Sequence, residues 1–414
     1  MNSKQEIRHR ALVLAQIFTI LALASRLINA DTGTCGGFMI TLPFTDVSSA
    51  NIFFCSIAEA YFSGLTNGTS PTTYNPSDPV TREQMAAFIT RTQDSALRRA
   101  SRRAAVGQWA TPQDDAELKK TTVGASPRFN CFDGEDIWVP SYSGGNVTRV
   151  HASDGRVLGT WTGAAWSNSA IAAAGYIYIA GNSLATGEAG KIYRIDPALA
   201  PGAVTVVETT LGNQPRSITY DGLNLWTANQ GTGPDLGSIT RYNIITTIAT
   251  NFGAGFNQPI GIIFDGTNLW VVDKGDDALY RVNPANASVL ETIALGTVGQ
   301  DSRPAFDGAN LWVPVIGGVK IVSISTPARV LATLTGNGLD AGDNFGVAFD
   351  GERMLISNYG GGTTSTVSLW HASSLTPLGF LSLADGVGTG VCSDGLHFWI
   401  SVKPPSGNSF VMRF

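Results

Sequence analysis

An Asp-Gly turn recurs along most of the chain, and its period limits the fold more than any other feature. Turn aspartates stand at Asp133, Asp221, Asp265, Asp307, Asp350 and Asp394, the last five of them 42 to 44 residues apart. The first gap is twice as long, and Ala174-Gly175 falls at its midpoint, so the phrase is written seven times. One copy, Phe264 to Pro284, reads FDGTNLWVVDKGDDALYRVNP. An apolar run precedes the turn. A Trp-bearing apolar run, a polar gap, an alternating stretch with one Arg, and a last stretch such as VLETIAL follow it.

Four short strands per period of about 40–45 residues describe a propeller blade. The fold class expected is therefore mainly all-β: a seven-bladed β-propeller preceded by a small helical hairpin. The seventh copy stops at Phe414 after its third strand. LKKTTVG, at 118–124, is a spare strand on the N-terminal side and should complete that blade, because an unpaired sheet edge is a liability. The aromatic five residues past the turn Asp is Trp138, Trp226, Trp270, Trp312 or Trp399, with Tyr178 and Leu355 in the other two copies. These rings read as core between blades, where each buries a large apolar area. Arg149, Arg194, Arg241, Arg281 and Arg413 recur on the third strand and read as struts to a neighbouring blade.

The domain limits expected are 1–30, 31–95, 96–117 and 118–414. Residues 1–30 read as a secretory signal: a basic start, MNSKQEIRHR, an apolar run, ALVLAQIFTILALAS, too short for an ordinary span, and a small-residue site ending at Ala30. An exported chain with four cysteines suggests disulfides, with Cys35, Cys55, Cys131 and Cys392 as candidates. A Cys35–Cys55 bond would tie an incoming strand to the first helix, and a Cys131–Cys392 bond would lock the ring. No CxxC pair is present, so no zinc site is expected, and no DxDG or EF-type calcium loop is present; no metal or cofactor is assigned. Charged residues are 14% of the chain and the formal net charge is −5, which argues against nucleic acid as a partner.

Residues 31–95 read as a helix–loop–helix hairpin. Phe53, Ile57 and Tyr61 share one face of a helix over 51–63, and Gly64 is placed to end it. A turn-rich loop follows, and Thr81-Arg82-Glu83-Gln84 forms a capping box before Met85, Phe88 and Ile89. FTDV at 44–47, the apolar helix and GLTNGTSPTTYNPSDPVTREQMAAFITR together resemble a surface-layer homology (SLH) motif. The resemblance implies attachment to anionic envelope polysaccharide through Asp46 and Arg82. The chain carries one such motif where that family deploys three, and Gln84 stands where the family has Glu. The Ala-rich segment 96–117 carries Arg98, Arg99, Arg102 and Arg103 and reads as a basic connecting helix.

Propellers meet ligands mainly through second-to-third-strand loops and blade-to-blade connections. Here those loops are rich in Gly, Asn and Ser, and Glu188, Asp235, Asp273, Asp276 and Asp277 are their candidate ligand-face acids. The repeats resemble streptogramin B lyase-like and YVTN/NHL-type seven-bladed propellers. The lyases would imply a His and a Glu beside Mg²⁺ on that face. His151, His371 and His397 fall instead on the opposite face, so no catalytic residue is assigned. The sequence thus reads as an extracellular, envelope-associated protein with a propeller that binds rather than reacts. Its expected partner is envelope polysaccharide or an envelope protein. The alternatives are a Mg-dependent lyase and a purely structural scaffold.

Overall fold

A computed structural model describes residues 31–36, 38–62, 65–88, 120–182, 189–233, 236–339, 342–359, 365–383 and 386–414. The expected signal at 1–30 and basic helix at 96–117 lie outside these. The chain divides into two compact units, Met1–Pro112 and Gln113–Phe414.

In the first unit, strand Thr32–Cys35 pairs antiparallel with Phe38–Thr41. Cys35 is disulfide-bonded to Cys55, with their Cα atoms 5.5 Å apart. Helix α1 spans Phe54–Phe62. Its buried face is Phe54, Ile57 and Ala58, with Tyr61 packed beside them, and Phe53 is 61% exposed. Of the expected stripe, Ile57 and Tyr61 lie on the packed face and Phe54 takes the place of Phe53. Helix α1 begins after Phe53, and the i, i+3, i+4, i+7 positions counted from Phe54 are those that reach Leu42, Phe44 and Val47. The Leu65 amide bonds back to the Ala60 carbonyl, the closure of a helix end, although Gly64 itself lies outside the described residues. The capping box forms as expected. The Thr81 hydroxyl accepts from the Gln84 amide at 3.2 Å, and the Gln84 side chain accepts from the Thr81 amide at 2.9 Å. The helix it starts, α2 over 82–88, leaves Met85 49% exposed.

The second unit contains seven four-stranded antiparallel sheets. Blades 1 to 6 run in chain order, each from its inner strand outward; blade 4, for example, is Pro259–Phe264, Leu269–Asp273, Ala278–Val282 and Val289–Ala294. Blade 7 takes its outer strand from the other end of the unit, where Lys120–Thr122 pairs with Phe410–Met412. The ring therefore closes with the spare N-terminal strand. Glycine permits a close approach at this joint, since a Cβ on Gly390 would stand 2.3 Å from the Arg128 carbonyl.

The repeated phrase has a definite job in each blade. In blade 4 the turn places Gly266 at φ 98°, a left-handed conformation that glycine adopts without strain. One carboxylate oxygen of Asp265 accepts from the amides of Thr267 and Asn268, both at 2.7 Å. The other accepts from the Trp270 indole at 2.7 Å. The same bond joins Trp138, Trp226, Trp312 and Trp399 to Asp133, Asp221, Asp307 and Asp394. The five-residue spacing is thus the reach from a turn carboxylate to a buried indole. In blade 6 Leu355 stands for Trp, and the Asp350 carboxylate instead takes the Arg353 guanidinium. Blade 2 has no Asp at the turn, and its hairpin uses two left-handed residues, Ala174 and Gly175.

All five of those tryptophans are fully buried, and they pack toward the following blade: Trp226 lies with Ile262, Leu269 and Val271 of blade 4. Arg149, Arg241, Arg281 and Arg413 on the third strands lie over these rings and reach onward, whereas Arg194 lies 4.7 Å from the Tyr176 ring centroid. Arg241 sits 5.7 Å from the Trp226 ring centroid and donates to the Ala285 carbonyl of blade 4. Arg281 covers Trp270 and donates to Thr326 of blade 5. Arg413 covers Trp399 and donates to the Ser153 carbonyl of blade 1.

The ring carries no Cys131–Cys392 bond; both are free thiols. Cys131 pairs in register with Trp138 and Cys392 with Trp399. Occupying equivalent positions, both point the same way round the ring. Cys131 packs in the cluster between blades 1 and 2, and Cys392 in the cluster between blades 7 and 1. The blade 1 inner strand thus separates them, and burial pushes both thiols up, which favours inert SH groups.

Candidate functional site

The Asp46 carboxylate in the N-terminal unit accepts from the Tyr74 amide at 2.8 Å and the Asn75 amide at 2.6 Å. It pins the turn-rich loop back onto the FTDV segment. Arg82 is exposed in the first turn of α2, which the reciprocal Thr81–Gln84 bonds hold in place. The two matched residues therefore differ in what they offer: Asp46 is engaged in the loop, and Arg82 presents a guanidinium to solvent.

The loop-face acids of the propeller are mostly engaged too. Asp273 is fully buried, and its carboxylate accepts from the amides of Asn257, Gln258 and Gly275, each at 2.9 Å. Burial raises its pKa against those bonds. Asp276 takes the Asn257 amide side chain at 3.0 Å and the Tyr280 hydroxyl. Asp277 takes the Val298 amide at 2.8 Å. These three knit a second-to-third loop to the blade-to-blade connections beside it. Glu188 and Asp235 lie outside the described residues. The histidines are on the other side of the ring, at the level of the Asp turns. His151 Nδ1 is 2.8 Å from Asp136, His371 Nε2 is 3.4 Å from Glu352, and His397 Nδ1 is 3.2 Å from Asp394. Among the described residues, no three His, Cys, Asp or Glu side chains are grouped to hold a metal ion.

Among the described residues, four charged side chains on the loop face cluster toward the axis. Arg128 and Arg216 follow Pro127 and Pro215 where the chain enters the inner strands of blades 1 and 3. Asp301 and Arg303 lie in the connection into blade 5. Arg128 Nη1 is 3.2 Å from Asp301 Oδ2, Arg303 Nη2 is 3.5 Å from Asp301 Oδ1, and Arg216 Nη1 is 4.0 Å from Asp301 Oδ1. Arg303 also donates to the Arg216 carbonyl at 2.8 Å and lies 4.3 Å from the Phe129 ring centroid. Blades 1, 3 and 5 are not neighbours, so these side chains meet only by reaching to the centre of the ring.

Three guanidiniums face one carboxylate. Unit charges about 4 Å apart interact by roughly 4 kcal/mol at an effective dielectric near 20, so the uncompensated positive charge matters. Burial pulls Arg303 from 12.5 down to about 9; Asp301 opposes this, and Arg216 and Arg128 add to it. The group still carries its proton at neutral pH. The side chains of Arg128 and Arg216 are 22% and 20% exposed, so the cluster is reachable from solvent. Gln230 holds Arg216 Nε at 2.7 Å, and the Tyr142 ring lies 5.0 Å under Arg128 with Trp166 edge-on to it at 4.3 Å. These arginines are not among the ligand-face candidates expected from the sequence, which are all acids. The available signal was Pro-Arg at the same point of the first and third copies, with Ser-Arg-Pro near it in the fifth.

The sequence model of the S-layer homology domain matches residues 43–86. None of the curated proteins matches the chain. Among solved structures, a chain of the Kuenenia stuttgartiensis hydrazine synthase superposes with a TM-score of 0.55 at 16% identity, over 73% of this chain and 98% of that chain. At that identity the likeness speaks for the fold alone. The chain thus carries an S-layer homology domain at residues 43–86 and, after it, a seven-bladed β-propeller.

Proposed function

We propose that the protein is exported, held at the cell envelope through its S-layer homology hairpin, and uses the propeller as a non-catalytic binding platform. The match over residues 43–86, with Arg82 exposed on a capped helix, carries this reading. A guanidinium can grip a carboxylate or ketal group of an anionic polysaccharide through two parallel hydrogen bonds. The Cys35–Cys55 bond fits an oxidising compartment. No helix among the described residues is long and apolar enough to cross a membrane, so retention at the envelope falls to the hairpin in this reading.

Co-sedimentation of the purified protein with envelope polysaccharide tests the attachment. The protein pellets with the polymer, and Arg82→Ala leaves it in the supernatant while the fold is retained. Equal pelleting of protein and variant refutes the role of Arg82, and no pelleting of either refutes attachment. Asp46→Ala is expected to loosen the 72–75 loop, since its carboxylate holds the Tyr74 and Asn75 amides.

A further inference from the structure

We propose that Arg128, Arg216 and Arg303 form a receptor for a small oxyanion at the loop-face mouth of the central channel, with Asp301 as a built-in competitor. This names a ligand class for the propeller and rests on the binding-platform reading above.

Four observations carry it. The arginines come from three blades that do not adjoin, so the cluster does not serve a single blade interface. The cluster holds three cations and one anion, and the Asp301 contacts to Arg303 and Arg216, at 3.5 and 4.0 Å, are long for hydrogen bonds. The buried Nε atoms of Arg128 and Arg303, both N–H donors, have no hydrogen-bond partner. Buried polar groups are rarely left so in a finished network. Finally, Arg128 and Arg216 are held ready, one over the Tyr142 ring and one by Gln230, while still partly exposed. Planar forks fixed in this way suit carboxylate, phosphate or sulfate oxygens. The third-strand Arg149, Arg241, Arg281 and Arg413, by contrast, lie over the tryptophan rings and bond to the next blade.

The test is calorimetric titration of the purified protein at pH 7 and low salt, with sodium galacturonate, sodium phosphate and neutral galactose in separate runs. At least one anion should bind saturably and galactose should not. Galacturonate alone assigns a carboxylate site, phosphate alone a tetrahedral-oxyanion site, and both a general oxyanion receptor. Arg128→Gln and Arg216→Gln should each weaken binding by about tenfold, as expected for loss of a charge-assisted fork. Asp301→Asn should tighten it several-fold, a direction that a merely structural role for Asp301 does not produce. Arg216→Lys, which keeps the charge and loses the fork, replaces the glutamine variant if that does not fold. Failure of both anions to bind, binding of galactose as tight as that of the anions, unchanged affinity in the arginine variants, or weaker binding in Asp301→Asn overturns the proposal. Arg82→Ala, titrated in parallel, removes any galacturonate signal that belongs to the hairpin and leaves that of the axial arginines, so the receptor and the envelope attachment fail separately.

Discussion

The bond from each turn aspartate to a tryptophan five residues on can be weighed in blade 4. Asp265 accepts two backbone amides and one indole N–H, and Trp270 is fully buried. Asp265→Asn keeps the shape and removes the charge. Whichever way the new amide turns, its NH₂ meets a donor: the indole on one side or the two backbone amides on the other. At least one buried donor is then unsatisfied, at roughly 1–3 kcal/mol, and the bonds that survive lose their charge assistance, about 1 kcal/mol each. The expected loss is about 3–5 kcal/mol. Trp270→Phe removes the indole N–H at its own packing cost. In a double-mutant cycle of the three variants, measured by urea unfolding followed by circular dichroism, the pair should couple by about 1–3 kcal/mol. A coupling below about 0.3 kcal/mol, within the scatter of independent sites, would refute the claim that the spacing exists for this bond.

Arg241→Ala should cost about 1–2 kcal/mol, because it removes both a cation–π contact to Trp226 and a hydrogen bond to blade 4; an unchanged unfolding midpoint would show that the struts are ornamental to stability. Asp394 gives a pH dependence. Burial alone would raise its carboxyl, but hydrogen bonds from His397, Trp399 and two backbone amides outweigh burial and bring it from 3.8 to about 2. A carboxyl depressed in the folded state adds stability that is complete above pH 4 and is lost as pH falls toward 2. Thermal melting of the wild type and of Asp394→Asn should therefore converge through that window, and a constant difference between them would contradict the assignment.

Much of this molecule is legible in the chain because repetition is legible. A phrase recurring at blade length fixes the strand number, the turns and the closing role of residues 118–124, since each copy must bury the same face against the next. The capping box at Thr81 and Gln84 is equally local, with donors and acceptors three residues apart. The first-helix face is less secure: Phe53 and Phe54 are both apolar, and only the packing of Phe54 against Phe44 and Val47 decides which of them is buried. Ligand-face acids were visible as a composition, but Asp273 turned out to be spent on backbone amides, which no pattern of side chains announces.

The sequence by itself determined the seven blades, the way the ring closes, the Trp and Arg positions and the helical hairpin, because each follows from local spacing repeated at a fixed period. Only the tertiary structure decided what sits on the axis and which groups are left unpaired there. Arg128 and Asp301 are 173 residues apart and belong to blades that never touch as neighbours. Closing the ring brings their side chains to 3.2 Å. The same closure leaves Cys131 and Cys392, matched in register, on opposite sides of the blade 1 inner strand, because equivalent positions on successive blades face the same way round a ring.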